Sequence, residues 1–273
     1  MQDDDIKTQP RVITRAIARL LEKGEVAALA TLIGAPEGVG AKMLVEESGV
    51  TTGSLGESVL DGVVKRYAST FLASRDEARA FQGGEFAPEL ASWASARVLF
   101  ERIEPEPRII ICGAGHVGAS LARLASFIGY RTTIIDDRPE FVRPERFPDE
   151  KIEVIAAKNW TDAVREAIGN GRGVSVAVVT RGHNEDEECM HAVITTNPDY
   201  IGLIGSKRRT NIVLDRLRQA GANEEQLKKV HAPIGLDIGA ITPEEVALSI
   251  LAEIVAKRRR GKGDSLSAWR RTS

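Results

Sequence analysis

The residues best suited to chemistry lie in a glycine loop, GAGHVG, at positions 113–118. Gly113, Gly115 and Gly118 have GxGxxG spacing, after an apolar run and at the start of a helical pattern. Gly113 permits a tight turn, Gly115 lets backbone N–H groups approach a diphosphate, and Gly118 lets the helix pack against the strand. Because a helix N-terminus carries partial positive charge, the loop predicts a site for an anionic ligand. The alternative is that the turn is structural and binds nothing.

Two carboxylates follow the next apolar run, RTTIIDD. Asp136 and Asp137 lie 18 and 19 residues after Gly118, close to the spacing of an acid that binds a ribose hydroxyl. An acid at this position disfavours a ligand with a 2'-phosphate on its ribose. Arg138, beside the two acids, weakens this inference. His116, inside the loop, is expected either to touch the ligand or to cap the turn.

Three further polar clusters follow apolar runs. VSVAVV leads into Thr180, Arg181, Gly182, His183, Asn184 and Asp186; YIGLI leads into Gly205, Ser206, Lys207, Arg208 and Arg209; HAPIGLDIGAITPEE, residues 231–245, contains Gly235, Asp237 and Gly239. Arg181 can pair with a phosphate, and His183 can bind a ligand or move a proton. Ser206 is an expected helix N-cap, and the cations after it suit a phosphate. Each residue also has a structural interpretation, such as an N-cap for Asp186.

Composition limits the function classes. The chain has 273 residues, 42% hydrophobic and 28% charged, with a formal net charge of -2, so neither nucleic acid nor an anionic membrane is an expected partner. Cys112 and Cys189 lack CxxC partners, HExxH and GxSxG motifs are absent, and we predict no metal site. Cys112 is expected to be a buried small residue. The polar start MQDDDIKTQP does not resemble a signal peptide and no apolar run has membrane-spanning length, which favours a cytoplasmic protein.

The first part of the chain has the pattern of a small α+β domain, residues 11–104. A helical pattern over residues 11–23 ends at Gly24, and EVAALATLIG and AKMLVEESG are predicted strands. We interpret GVTTGSLGE as a turn, and predict a helix from Glu57 to about Gln82 and a final strand in ARVLFERIE. Residues 1–10 and 261–273 are expected to be flexible tails.

After the connector EPEPR the pattern changes to that of an α/β fold, residues 107–260. The predicted strands RIIICG, RTTIIDD, KIEVIAA, VSVAVVT and YIGLIGS alternate with helices, and a capping box at Thr242 begins a last helix. This alternation predicts a Rossmann-like parallel sheet with helices on both faces. Ligands bind beyond the carboxyl ends of such strands, at the switch in strand order, so the polar clusters are expected to line one crevice.

The segments CGAGHVG, IIDDRPEF, VTRGHNEDEE, YIGLIGSKRR and HAPIGLDIGAITPEEVALSILAEI resemble the C-terminal domain of the XdhC/CoxI family, over nearly all of residues 107–257. The resemblance implies an accessory factor rather than an enzyme. Such a protein binds the molybdenum cofactor as molybdopterin or its dinucleotide form. Such a factor protects the cofactor, supports its sulfuration and delivers it to a xanthine dehydrogenase-type molybdenum hydroxylase. The implied partners are the large subunit of the hydroxylase and a cysteine desulfurase, and the implied assembly is a homodimer.

The N-terminal module is similar to the family's smaller domain in GEVAALATLIG, GAKMLV and TTGSLGE, but it departs from the family pattern twice. Residues 35–37, Ala-Pro-Glu, stand where the family usually has a Ser-Pro-Arg-like turn. Glu57, Ser58 and Val59 follow Gly56, where the family usually has a glycine run and a cysteine. The missing cysteine argues against direct sulfur handling by this module.

Two other functions fit the glycine loop. An NAD(P)-dependent oxidoreductase would use Asp136 or Asp137 for the ribose, although His183 is then the one acid–base candidate for hydride transfer. A nucleotide-sensing regulatory protein would bind its ligand without catalysis. The residues alone leave these alternatives open, and the resemblance selects the pterin cofactor.

Overall fold

The chain forms two compact units in the computed structural model, which describes residues 2–74, 76–169 and 171–267. The first unit is Met1–Pro105 and the second is Glu106–Ser273, so the division falls inside the EPEPR connector. Pro105 and Pro107 favour extended backbone in the residue before each of them, which suits a connector. Within the described residues, no helix is both long enough and apolar enough to cross a membrane.

The first unit combines helices with an antiparallel sheet. Its elements are α1 (Gln2–Glu22), β1 (Ala27–Gly34), β2 (Lys42–Glu46), β3 (Thr51–Ser54), α2 (Ser58–Ala73), β4 (Ala78–Gln82), α3 (Gly83–Phe86), a 3-10 turn (Ala91–Trp93) and β5 (Arg97–Ile103). The sheet order is β3-β2-β1-β5-β4. Helix α1 begins inside residues 1–10, which were expected to form a flexible tail. Of the other expected tail, residues 268–273 lie outside the described residues.

Two elements of the first unit differ from the sequence prediction. The stretch predicted as a turn contains β3, because a tight connection with Gly49 at φ +84° lets β3 pair antiparallel with β2. The predicted helix from Glu57 to Gln82 is wrong in its second half, since α2 ends at Ala73 and β4 follows. β4 is a strand because it pairs with β5 and packs Phe81 against Phe100.

The second unit contains a six-stranded parallel sheet. Its strands are β6 (Arg108–Cys112), β7 (Arg131–Asp136), β8 (Ile152–Ala156), β9 (Val174–Val178), β10 (Tyr200–Leu203) and β11 (Val230–His231). Their order is β11-β10-β9-β6-β7-β8, and each neighbouring pair is parallel. The chain moves outward from β6 to β8 and then returns to the other side of β6, so the order switches between β6 and β9. The predicted Rossmann-like parallel sheet is confirmed.

Helices cover both faces of this sheet, as predicted. They are α4 (His116–Phe127), α5 (Trp160–Ile168), α6 (His183–Thr196), α7 (Lys207–Gln219), α8 (Glu224–Leu227) and α9 (Pro243–Arg258). Alternate residues of β6 point to opposite faces: Ile109 and Ile111 pack with α4 and α9, whereas Ile110 and Cys112 pack with α5, α6 and α7. The capping box predicted at Thr242 is present and fixes the start of α9.

The connection from β7 to β8 contains no α-helix, contrary to the prediction. It has two 3-10 turns instead, Pro139–Phe141 and Pro144–Arg146. Three prolines in this short segment, the third being Pro148, remove backbone donors and clash with a preceding turn, which prevents a continuous helix. Strand β11 and helix α8 are further elements that the sequence reasoning did not predict.

Candidate functional site at the switch in strand order

The glycine loop and the loop after β9 lie side by side at the switch in strand order. Gly113 has φ +114°, and a Cβ on it would lie 2.6 Å from the carbonyl oxygen of Val179 and 3.0 Å from Cα of Thr180. This close approach brings the carboxyl ends of β6 and β9 together. The space beyond these two strand ends, between residues 113–118 and 179–183, is named here the switch-point crevice.

The three glycines of the loop have different roles. A Cβ on Gly118 would overlap the carbonyl oxygen of Gly113, so only glycine lets α4 approach the turn this closely. Gly115 has φ -66°, and no heavy atom lies within 4 Å of the point that its Cβ would take. Gly113 and Gly118 therefore serve packing, whereas Gly115 leaves space in front of α4.

Two helix N-termini border the crevice without side-chain caps. Gly115 is the N-cap of α4 and Gly182 is the N-cap of α6, and neither helix receives a side-chain capping hydrogen bond from that position. The first N–H groups of a helix require an acceptor from outside the helix, and the helix dipole adds partial positive charge. The first helical residues, His116 and His183, are exposed. This arrangement suits an anionic ligand.

Asp136 does not present its carboxylate to a ribose. Its side chain is 1% exposed and accepts the N–H of Ala114 at 2.7 Å. It also accepts the backbone N–H of Arg138 at 3.0 Å, and Nε and Nη2 of that side chain at 2.8 and 2.9 Å. The guanidinium of Arg138 lies over the ring of Phe141, 3.7 Å from its centroid. The prediction of a ribose contact is therefore not supported for Asp136, because four donors already hold this carboxylate against the glycine loop.

Asp137 and Arg181 form an ion pair across the glycine loop. Nη1 and Nη2 of Arg181 donate to Oδ1 and Oδ2 of Asp137 at 2.7 and 2.9 Å, and Nη2 lies 3.1 Å from Oε1 of Glu185. Asp137 follows β7 and Arg181 follows β9, on either side of β6, so the pair spans the end of β6. The hydrogen bonds lower the pKa of Asp137 and raise the pKa of Arg181. The sequence reasoning placed Arg181 on a phosphate, whereas the structure places it on a carboxylate.

Asp186 is fully buried and joins three segments. Its Oδ1 accepts the hydroxyl of Thr180 at 2.5 Å, and its Oδ2 accepts Nη2 and Nε of Arg209 at 2.5 and 3.1 Å. Burial raises the pKa of Asp186, and these donors oppose that rise. Asp186 was predicted to bind the ligand. The structure instead uses it to fix the end of β9 relative to α6 and α7, because its carboxylate has no surface that a ligand can reach.

Lys207 and Arg208 are cations available at the start of α7. Ser206 is the N-cap of this helix, as predicted, and accepts the N–H of Arg209 at 3.3 Å. Gly205 before it has φ +140°, which favours glycine. Lys207 and Arg208 are exposed and, in the part of the chain that the structure describes, they form no ion pair. They follow β10, the strand next to β9.

The last predicted cluster lies farther along the sheet. β11 is the edge strand, three places from β6, and it leads into Gly235, Asp237 and Gly239. Gly235 has φ +104° and packs against α9, whereas Asp237 is exposed. Ser120 of α4 lies 3.4 Å from Glu244 at the start of α9, so the end of this loop is beside α4. Among the described residues, no hydrogen bond or ion pair joins these three residues to the glycine loop.

Glu253 of α9 anchors this loop and was not predicted. It accepts Nδ1–H of His231 at 3.1 Å, the N–H of Gly235 at 2.9 Å and the hydroxyl of Tyr200. The rings of Tyr200 and His231 stack with centroids 4.8 Å apart. Burial alone would raise the pKa of Glu253, but its hydrogen bonds lower the pKa to about 2. No motif marks this residue, because only the fold brings α9 next to β11.

The two cysteines are free thiols in the core between the sheet and α5, α6 and α7. Cys112 is the buried small residue that the sequence predicted. Burial, together with the neighbouring Cys112, raises the pKa of Cys189 well above its usual value. Among the residues that the structure describes, no group of three or more His, Cys, Asp or Glu side chains is placed to hold a metal ion.

The parallel sheet, its order and the glycine loop define a Rossmann-type domain. The chain belongs to the XdhC and CoxI family. The family model described as the XdhC Rossmann domain matches residues 109–254, and the model described as the XdhC and CoxI family matches residues 20–81.

Several bacterial proteins are similar to this chain. It is 31% identical over 228 residues to the uncharacterized protein YqeB of Escherichia coli strain K12. The alignment covers 82% of this chain and 41% of YqeB. It is 31% identical over 166 residues to a probable xanthine dehydrogenase subunit of Bacillus subtilis strain 168, covering 61% and 47% of the two chains. It is 26% identical over 161 residues to the molybdenum cofactor insertion chaperone PaoD of Escherichia coli strain K12, covering 59% and 43%. The chain thus spans less than half the length of each of these relatives.

The fold is also similar to a crystal structure of a xanthine dehydrogenase from Bacillus halodurans. The two chains share 20% identity with a TM-score of 0.51, and the similarity covers 93% of this chain and 98% of the other. At this identity the comparison concerns the fold alone.

Proposed function

We propose that this protein is a maturation factor that binds the molybdenum cofactor as its cargo and delivers it to a xanthine dehydrogenase-type molybdenum hydroxylase. Membership of the XdhC and CoxI family supports this proposal. So do the names of two relatives, a molybdenum cofactor insertion chaperone and a probable xanthine dehydrogenase subunit. On this proposal the protein acts in the cytoplasm as a homodimer, protects the cofactor, and contacts both the hydroxylase and a cysteine desulfurase that supplies sulfur. The protein would contact the large subunit of the hydroxylase.

The observation that carries the proposal is the pair of uncapped helix N-termini beside the space at Gly115. Molybdopterin bears a phosphate, and its dinucleotide form bears a diphosphate. The N–H groups at the starts of α4 and α6 would hold this anion, with His183, Lys207 and Arg208 contributing positive charge or hydrogen bonds. These groups bind and position a cargo, and they require no redox step by the protein.

The first unit is not assigned a sulfur-carrying role. Glu57, at the position where the family usually has its glycine run and cysteine, is the N-cap of α2, and its carboxylate accepts Nε1–H of Trp93. Both cysteines of the sequence, Cys112 and Cys189, belong to the second unit. The first unit, Met1–Pro105, therefore contains no thiol that could carry sulfur.

Co-purification tests the proposed function. Protein made in cells with intact cofactor synthesis is expected to carry a pterin that denaturation releases and mass spectrometry identifies. The released mass also separates molybdopterin from the dinucleotide form, and cells that lack cofactor synthesis provide the control. Stringently purified protein that carries no pterin and shows no saturable binding of molybdopterin would contradict the proposal.

Gly115→Val is expected to abolish cargo binding while leaving the fold intact. No heavy atom lies within 4 Å of the point that the Cβ would take, and the branched side chain would fill the space where a phosphate would approach the N-terminus of α4. Loss of two charge-assisted hydrogen bonds corresponds to a decrease in affinity of about 100-fold or more. Pterin content per purified chain measures the effect, and circular dichroism checks the fold. A folded variant with wild-type pterin content would remove the glycine loop from the site.

Lys207→Ala is expected to weaken an anionic ligand in a salt-dependent way. Lys207 is exposed, so its attraction to a phosphate is screened at high ionic strength. Calorimetric titration with inorganic pyrophosphate should show a loss of about fivefold at low salt and a smaller loss at 0.5 M salt, on the order of the screening expected for exposed charges. Lys228→Ala, in an exposed pair with Glu225, is the matched control. An equal loss at both salt concentrations would contradict an electrostatic role.

The oxidoreductase alternative has less support from the geometry. Asp136 is committed to the glycine loop, and His183 is the one acid–base candidate that the sequence reasoning named for hydride transfer. Fluorescence titration with NADH discriminates between the two functions. Micromolar binding together with turnover of a carbonyl substrate would favour the oxidoreductase.

A further inference from the structure

Of the two carboxylates at the end of β7, Asp137 is the accessible one. Its side chain is 30% exposed, whereas that of Asp136 beside it is 1% exposed and already accepts four hydrogen bonds. A ligand in the switch-point crevice that needs a carboxylate from β7 therefore has Asp137 as the available acceptor.

Arg181 shows which kind of donor Asp137 accepts. Its two terminal nitrogens donate in parallel, one to each oxygen of Asp137, at 2.7 and 2.9 Å. Neighbouring strands are about 4.8 Å apart, so the strands that bear the two residues, on either side of β6, are about 10 Å apart. Both side chains reach over the glycine loop to meet. The carboxylate is thus aimed across the crevice and is oriented for a planar pair of N–H donors.

We propose that Asp137 binds the 2-amino-4-oxopyrimidine edge of the ligand, in competition with Arg181. This ring edge presents a ring N–H and an adjacent exocyclic amine, which together form the same planar pair of donors as a guanidinium. A pterin carries this edge. The adenine of NAD does not, because its amine stands beside a ring nitrogen that accepts. The inference rests on the proposed function and names the residue that would recognise the pterin ring.

Displacement of Arg181 from Asp137 does not leave the guanidinium without a partner. Oε1 of Glu185, in the first turn of α6, lies 3.1 Å from Nη2 of Arg181 and can retain it. Arg181 then stays beside the uncapped N-terminus of α6, where a phosphate of the same ligand is expected to bind. One exchange of hydrogen bonds would therefore create both a ring contact and a phosphate contact.

A matched pair of fluorescent ligands tests this inference in the whole 273-residue chain. The probes are 6-hydroxymethylpterin and 6-hydroxymethyllumazine, in which a carbonyl replaces the 2-amino group. Wild-type protein is expected to bind the pterin about tenfold more tightly, because the lumazine carbonyl would face a carboxylate oxygen. Asp137→Asn is expected to remove or reverse this preference, because an amide offers a donor beside an acceptor and so complements the lumazine edge. Asp215→Asn, which breaks an Asp–Arg pair within α7, is the control and should keep the wild-type preference.

Arg181→Ala gives a result that a merely structural ion pair would not give. Because it frees Asp137 from its competitor, this variant should bind phosphate-free 6-hydroxymethylpterin several-fold more tightly, on the order of one exposed ion pair. Guanosine, which carries the same edge on a purine, is the second ligand, and tighter binding of guanosine than of the pterin would overturn the pterin assignment. Equal affinity for pterin and lumazine, no binding of the pterin probe, or no effect of Asp137→Asn would also overturn it. Pterin that still co-purifies in any of these cases would leave the proposed function standing, so the two failures are distinguishable.

Discussion

Gly118→Ala is expected to lower the free energy of unfolding of the second unit by about 3 kcal/mol, at the upper end of the usual cost of overpacking. The added Cβ would overlap the carbonyl oxygen of Gly113, a main-chain atom in a turn that is already in contact with Val179 and Thr180. Neither a rotamer change nor a flexible side chain can relieve this overlap, so α4 must move away from the sheet. Overpacking that forces backbone shifts costs about 1–3 kcal/mol and occasionally more.

Gly115→Ala is the matched control for this variant, three residues earlier in the same loop. A Cβ at Gly115 meets nothing within 4 Å, and the φ of -66° is open to any residue. We expect a loss of less than about 1 kcal/mol there, the typical cost of a poorer N-cap. Urea unfolding followed by circular dichroism gives both values. Equal losses for the two variants would show that Gly118 is not required for the packing of α4.

Arg209→Ala is expected to destabilise the protein by about 3 kcal/mol at neutral pH, because it leaves the buried carboxylate of Asp186 without its cation. The matched control is Arg216→Ala, which removes a more exposed ion pair with Glu187 between the same two helices. A loss below about 1 kcal/mol is expected for the control. Similar losses for both would contradict a special role for the buried carboxylate.

The pH dependence of the Arg209→Ala variant supplies an independent check. Burial raises the pKa of Asp186 above its unfolded value, and removal of Arg209 takes away a group that lowers it. The folded variant then binds a proton more readily than the unfolded chain does. Its stability should therefore fall as the pH rises from the unfolded pKa of about 4 towards the higher folded pKa. Urea unfolding at pH 5 and pH 7 should show a smaller difference from the wild type at pH 5.

The second unit was predictable from its sequence to the level of strands and sheet type. Runs such as IIIC and VSVAV are apolar throughout, and such runs form parallel strands with both faces covered. Where local rules met a tertiary contact, prediction failed. The sequence of β4 continues a helical pattern, but contact between Phe81 and Phe100 places it in the sheet. The β7–β8 connection was predicted to be helical, although its prolines disfavour a helix.

The candidate site was predictable as a set of loops but not as a set of contacts. The glycine spacing located the crevice, because it encodes backbone geometry directly. The roles of the charged residues depended on distances across the sheet that no linear pattern contains. Asp136 and Asp137 are adjacent in sequence, yet one holds Ala114 and the other holds Arg181. Likewise Glu253 acquires its partners only when α9 packs beside β11.

β9 begins 62 positions after β6 ends, from Cys112 to Val174, and during translation β7 and β8 emerge in between. The inner edge of β6 therefore remains unpaired on the ribosome until β9 arrives, and α6 can form its end of the crevice only afterwards. Non-local pairing of this kind is slow compared with local structure. A truncated translation product that stops before His183 would have the glycine loop but only one of the two helix N-termini. On the proposed function, cofactor capture would require synthesis beyond that point, and aborted chains would not sequester the cargo.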